Sequence, residues 1–212
     1  MEEMMEMILP AAVTKLLQEF GTQSMPASDD VSGWALEKER KIYLDGDVDE
    51  NLMAIQRLIL RWNMEDRSEP VEKRAPIWIY IMSYGGDIDY MWMLIDAIET
   101  SETPVYTVNT GVAGSAASLI FLAGDRRFMT PRSKLIVHEG SAQLSGDAVK
   151  VMDQSESYKK QLKQMKDFIL MRTAIPRQQL MKKRNNDWEL DAKFCLDNGA
   201  CDMIISSMND II

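Results

Sequence analysis

The sequence predicts an α/β fold built on a largely parallel sheet. Two observations carry that prediction. Short, β-rich runs such as IWIYIM (77–82), PVYTVNT (104–110) and KLIVHE (134–139) alternate with segments of helical periodicity, and strands that alternate with helices imply βαβ crossovers. The first of these runs is also continuously apolar, as strands covered on both faces are.

The elements follow in order along the chain. Within residues 3–20, Met4, Met7, Ala11, Leu16, Leu17 and Phe20 fall roughly on one helical face, interrupted by Pro10. GTQSMPASDDVSG (21–33) is a cluster of turn formers and reads as a linker. The chain therefore divides into an N-terminal helical segment with a flexible linker, 1–33, and a compact domain, 34–212. In that domain KIYLDGDV (41–48) reads as a strand with a turn in it, and 51–62 as a helix with Leu52, Ile55, Leu58, Ile59 and Trp62 on its apolar side. The charged, proline-bounded stretch 65–76 is a surface loop. IWIYIM leads through SYGGD into a helix over 88–98, and PVYTVNT leads through a Gly/Ala turn into a helix beginning at Ser115. KLIVHE is the next strand. In 147–173, Ala148, Val151, Ser155, Tyr158, Leu162, Met165 and Ile169 recur every three or four residues. This is a long amphipathic helix that stops before Pro176. Periodicity leaves open whether its stripe packs inside the domain or on another subunit.

Composition narrows the function classes. A chain of 212 residues with 46% hydrophobic and 27% charged residues fits one globular domain with short appendages. No apolar run approaches the ~18–20 residues that span a bilayer, and MEEMMEMILP carries acids where a secretory signal carries Lys or Arg. The expected setting is the cytoplasm, with no membrane partner. A net charge of −9, without a basic tract, argues against nucleic acid as a partner. Two cysteines, Cys195 and Cys201, match no zinc or redox spacing, and His138 is the only histidine. Such a set offers a metal almost no His/Cys ligands, so neither metal nor cofactor is expected in the subunit. The 17 methionines read as adaptable core filler.

Chemistry concentrates in VNTGVAGSAASLIFLAG (108–124), where seven of the eight residues 111–118 are Gly, Ala or Ser. A reactive serine needs a base for its proton and donors for the oxygen that turns negative. Ser115, where the helix begins, stands among free backbone N–H groups at the positive end of the dipole, while Ser118 lies one turn further in. This is the logic of a nucleophile elbow without the G-x-S-x-G sequence, and the same small residues equally serve tight strand–helix packing. His138 is the sole imidazole available as a base. Gly85-Gly86 reads either as a tight turn with positive φ or as a source of N–H donors. Asp187, in KKRNNDWELD, is by composition a solvated charge.

Taken together, these segments resemble the ClpP family of serine peptidases, the proteolytic subunit of the Clp protease, from about Leu36 to Ile204. LEKERKIYLDGDVDENL is similar to the family's first strand region and IWIYIMSYGG to its strand leading into a double glycine. GVAGSAASLIFLAG is similar to the nucleophile segment, the stretch from Arg126 through SKLIVHE to the histidine strand, and DWELDAKFCLDNGACD to the closing Asp, short helix and G-x-x-D.

The resemblance implies a crotonase/ClpP-like α/β fold whose long helix is a projecting handle. It implies Ser115 as nucleophile, His138 as base and Asp187 as the residue that orients the imidazole, with the N–H groups of Gly86 and Ala116 as the oxyanion hole. Gly85, Gly140, Ser141 and Ala142 would line the substrate groove. The implied activity is an ATP-dependent serine endopeptidase acting on unfolded polypeptides inside a chamber of stacked rings, two heptamers forming a tetradecamer. ATP would be used only by an AAA+ unfoldase partner. The sequence departs from the family at Met82-Ser83-Tyr84, where Asn-Ser-Pro is usual, and at Glu139-Gly140, where Gln-Pro is usual. Three alternatives stay open on this sequence: a non-catalytic ClpP-like scaffold or regulatory subunit, a bacteriophage capsid-maturation peptidase, and a crotonase-type acyl-CoA enzyme.

Overall fold

A computed structural model describes residues 33, 35–140, 145–182 and 187–211. The molecule divides into Met1–Lys41 and Ile42–Ile212, and the second unit carries the elements that position the site. In chain order the elements are β1 (Lys41–Leu44), α1 (Leu52–Asp66), β2 (Ile77–Ser83), α2 (Ile88–Glu99), β3 (Val105–Gly114), α3 (Ala116–Ala123) and β4 (Arg126–Met129). They continue with β5 (Lys134–Val137), α4 (Ala148–Arg172), α5 (Arg177–Lys182), β6 (Trp188–Asp191), α6 (Ala192–Asp197) and β7 (Met203–Ile204). Among the described residues the strands form one sheet in the order β1-β2-β3-β4-β7, with β5 branching from β3 and β6 pairing β5.

The pairs β2–β3, β3–β4, β3–β5 and β4–β7 are parallel, as the βαβ alternation predicts, and β5–β6 is antiparallel. In β2, Ile77, Ile79 and Ile81 alternate into the main core with Met91, Leu94, Ile95 and Ile98 of α2, because successive side chains in a strand point to opposite faces. On the other face Tyr80 joins Val108 and Phe128 in a smaller cluster, flanked by Trp78 and Tyr106. Every residue of α3 is buried, so it can be apolar all round without an exposed stripe.

The sequence reading is corrected at Gly111–Gly114. These residues are not a turn but the second half of β3. The first half pairs β4 from Tyr106↔Arg126 to Asn109↔Met129, the second pairs β5 from Val112↔Lys134 to Gly114↔Ile136. Partners on both sides supply the hydrogen bonds that small residues of low strand propensity need to stay extended. At the branch the register against β2 slips between Ile81↔Asn109 and Ser83↔Ala113. The fully buried Asn109 holds this point: its Nδ2 donates to the Lys134 carbonyl at 2.8 Å, and its Oδ1 accepts from the Gly111 N–H at 3.1 Å. A Cβ on Gly111 would lie 2.6 Å from Met82 Sδ, part of a flexible and exposed side chain that packs over this point of the strand.

Helix α4 is capped by Asp147, whose carboxylate accepts from the Lys150 N–H at 2.9 Å. Only Met165, Phe168 and Ile169, in its C-terminal half, are buried, whereas Val149 and Met152 near its start are exposed. Its last residue, Arg172, reaches the far end of α3, donating from Nε to the Leu122 carbonyl at 2.8 Å and from Nη2 to the carbonyls of Ala123 and Gly124 at 3.0 and 2.6 Å. These carbonyls lie at the helix's negative end, where a guanidinium is favoured. Arg127 donates in turn to the Arg172 carbonyl at 2.7 Å and pairs with Asp202, the acid of G-x-x-D, at 2.8 Å.

Candidate active site

Ser115 sits between the end of β3 and the start of α3 with φ 51° and ψ −124°. Side chains seldom adopt positive φ, and where they do the surrounding structure must hold them. Here the Ser115 N–H donates to the Ile136 carbonyl of β5 at 2.9 Å, and its own carbonyl accepts from the Ser118 N–H at 2.9 Å and the Ser118 hydroxyl at 2.6 Å. The two serines are thereby distinguished. Ser118 is fully buried and spends its hydroxyl on the turn, while Ser115 remains half-buried at a helix N-terminus.

The segment Tyr84-Gly85-Gly86 lies directly against this turn. A Cβ on Gly114 would come 3.0 Å from the Tyr84 carbonyl oxygen, and one on Gly85 would come 2.6 Å from Ser115 Cβ and 3.0 Å from the Ala116 nitrogen. Gly85 and Gly86 have φ of +109° and +154°, the positive φ read from the sequence. Gly86 is placed by a parallel bridge to Val48, in which the Val48 N–H donates to the Gly85 carbonyl at 2.9 Å and the Asp87 N–H to the Val48 carbonyl at 2.7 Å. Neither bond uses the Gly86 N–H. Ala116 is the first residue of α3, a position whose N–H has no partner within the helix. Of these two N–H groups, that of Ala116 directly follows Ser115 in the chain, and that of Gly86 belongs to the segment packed on the turn.

His138 directly follows β5, and Asp187 directly precedes β6. The antiparallel register ends at Val137↔Trp188, so one further step brings these two residues opposite each other. His138 Nδ1 lies 3.3 Å from Asp187 Oδ1. A carboxylate at Nδ1 fixes the proton there and leaves Nε2 as the acceptor. The imidazole is 33% exposed and the carboxylate 74%, so the pair is reachable from solvent. The antiparallel β5–β6 pair beneath is braced by the Lys134–Glu189 ion pair at 2.7 Å and by Trp188 packed edge-on to Phe194 at 5.5 Å. On the other side of β5, Gly114↔Ile136 is the last pair with β3, which puts Ser115 beside Val137, one strand spacing of ~4.8 Å away.

Gly140, with φ +72°, is exposed two residues beyond His138; Ser141 and Ala142 lie outside the described residues. Cys195 and Cys201 are buried thiols: burial pushes Cys195 up to about 12, with Cys201 and Asp191 adding to the shift, and pushes Cys201 up to about 11, where Asp202 adds and Arg127 and a backbone bond at Met203 partly offset it. Neither is a nucleophile at neutral pH. Among the described residues no cluster of His, Cys, Asp and Glu could hold a metal, and no helix is long and apolar enough to cross a membrane. Asn109 and Arg172 escaped the sequence reading. A lone amide inside the apolar strand PVYTVNT was the available signal for the first, whereas nothing local marks the second.

Comparison with known proteins places the chain in a family. The family model described as Clp protease matches residues 24–208. Among similar proteins is the ATP-dependent Clp protease proteolytic subunit 2 of Treponema denticola, 30% identical over 176 residues that cover 81% of this chain and 84% of that protein. The proteolytic subunit 1 of Chlamydia caviae is 30% identical over 189 residues, covering 79% of this chain and 99% of its own.

Proposed function

The chain belongs to the Clp protease family, whose members are serine peptidases, and from that premise we propose that Ser115, His138 and Asp187 are its catalytic triad. The Ser115 hydroxyl attacks the scissile carbonyl as His138 Nε2 takes its proton. The carbonyl oxygen, now negative, is held by the N–H groups of Gly86 and Ala116. The leaving amine departs with the proton from Nε2; the same imidazole then takes a proton from the water that attacks the acyl-serine, and returns it to the Ser115 oxygen as the acyl bond breaks and the acid is released. Asp187 keeps the imidazole in the tautomer this requires. The carrying observation is the 3.3 Å contact between His138 Nδ1 and Asp187 Oδ1 at a strand end one strand away from Ser115.

Substrates in this reading are unfolded polypeptides, laid along Gly85 and Gly140 and cut inside a ring-stacked chamber. The exposed Val149 and Met152 on α4 support burial of that helix against another copy, in two heptameric rings. Relatives carry ATP-dependent in their names; here ATP would belong to an AAA+ unfoldase docking on the rings, with no cofactor in the subunit. Ser115→Ala tests the chemistry, with peptide-amide hydrolysis expected to fall by about 10⁶ in kcat and labelling by a fluorophosphonate to vanish. Unchanged labelling would sink the assignment. The mass of the assembly in solution tests the rings.

A further inference from the structure

Beyond β5 the chain passes through His138, Glu139 and Gly140, and this stretch is fastened to α4 rather than to the sheet. The Tyr158 hydroxyl donates to the Glu139 carbonyl at 2.9 Å, and Lys166 Nζ lies 2.6 Å from Glu139 Oε1. The ion pair is largely withdrawn from water, its side chains 24% and 21% exposed. The space between is a cavity of about 30 Å³ lined by His138 and Glu139 together with Val137, Leu162, Met165 and Trp188. The ladder that orders β5 against β6 ends one residue before His138, at Val137↔Trp188. The backbone leaving His138 is thus held from one side by the sheet and from the other by two side chains of the long helix.

A mostly buried ion pair is weak support for stability, since desolvation offsets much of its attraction; what this one and the Tyr158 bond do is tie Glu139 to α4 at two points. Geometry is what a catalytic base needs, because a misplacement of about 1 Å can cost about 10²-fold in rate. We propose that Lys166 and Tyr158 are positioning residues for His138, acting through Glu139, so that α4 sets the orientation of the imidazole between Asp187 and Ser115. The inference rests on His138 being the catalytic base.

The test uses the full chain, a fluorogenic peptide amide and fluorophosphonate labelling of Ser115. Lys166→Met keeps the apolar stem and removes the charge; kcat is expected to fall about tenfold or more while KM changes less than about twofold. Lys166→Arg restores most of the loss. Tyr158→Phe deletes one hydroxyl, too small a change to unfold the chain, and lowers kcat about threefold. Because Lys166 and Glu139 act as a unit, the double variant Lys166→Met/Glu139→Gln is no slower than the worse single one. The proposal is overturned if kcat holds in Tyr158→Phe, if KM alone moves in Lys166→Met, or if the double loss is the product of the two single losses. A wild-type protein that neither labels nor cleaves the peptide overturns both the peptidase reading and this one, and is told apart because it needs no variant.

Discussion

Replacing Gly85 by alanine probes how closely the Tyr84-Gly86 segment is built against the nucleophile. The new Cβ would stand 2.6 Å from Ser115 Cβ, 2.7 Å from the Gly114 carbonyl oxygen and 3.0 Å from the Ala116 nitrogen. Two carbons rest comfortably at roughly 3.5–4.0 Å, so the two segments must part by about 1 Å. No flexible side chain can absorb that movement, because two of the three atoms met are backbone and the third is the Cβ of Ser115. Alanine at φ +109° adds about 1–2 kcal/mol of backbone strain. A displacement of about 1 Å at a reacting group costs about 10²-fold in rate, and both the Ser115 hydroxyl and the Ala116 donor lie in the displaced part. Peptide-amide hydrolysis by Gly85→Ala, measured beside the thermal midpoint, should therefore fall about a hundredfold in kcat. Gly111→Ala is the control, since its Cβ would meet Met82 Sδ at 2.6 Å, the far part of a flexible and exposed side chain that can swing away. If Gly85→Ala stays within about threefold of wild type, or Gly111→Ala is equally damaging, the reasoning from close approach is wrong.

Three further outcomes are expected. Asp187→Asn keeps the shape of the side chain but turns the imidazole tautomer, and kcat should drop about 10⁴-fold with folding unchanged; a loss under about tenfold would mean that Asp187 is only a solvated charge. Arg172→Ala strips three carbonyls at the end of α3 of their donor, which should lower stability by about 2–3 kcal/mol and the thermal midpoint by about 4–12 °C. An unshifted midpoint would refute that capping role. Burial works against ionisation of Asp202, yet the bonds from the Arg127 side chain and backbone outweigh it and hold the carboxyl below its ordinary value of 3.8. A lowered folded value contributes stability above the unfolded one and loses it as pH falls through the folded one. Acid unfolding of the wild type below pH 3.8 should therefore be steeper than that of Asp202→Asn, and equal slopes would remove Asp202 from the acid response.

The patterns legible in the sequence are those written in near neighbours. IWIYIM specifies a buried strand because its alternating isoleucines and aromatics suit two covered faces. The stripe from Ala148 to Ile169 specifies a helix because 3.6 residues make a turn. The small residues around Ser115 specify a close approach of another segment because only they leave room for it. These are local consequences of side-chain size and backbone freedom, so they survive without the rest of the molecule. Pairing is different. Gly111–Gly114 look like a turn until β2 and β5 lie on either side, and only then do their N–H and C=O groups have partners that keep them extended. Asp187 looks like a solvated charge until the antiparallel register of β5 and β6 brings it to His138. Arg172 looks like an ordinary basic end to a helix until α3 presents three carbonyls to it. Each of these depends on groups distant in sequence meeting in space. Sequence by itself determined which residues could carry the chemistry, and tertiary structure decided which of them meet, because register and packing are set by the whole sheet and not by any one segment.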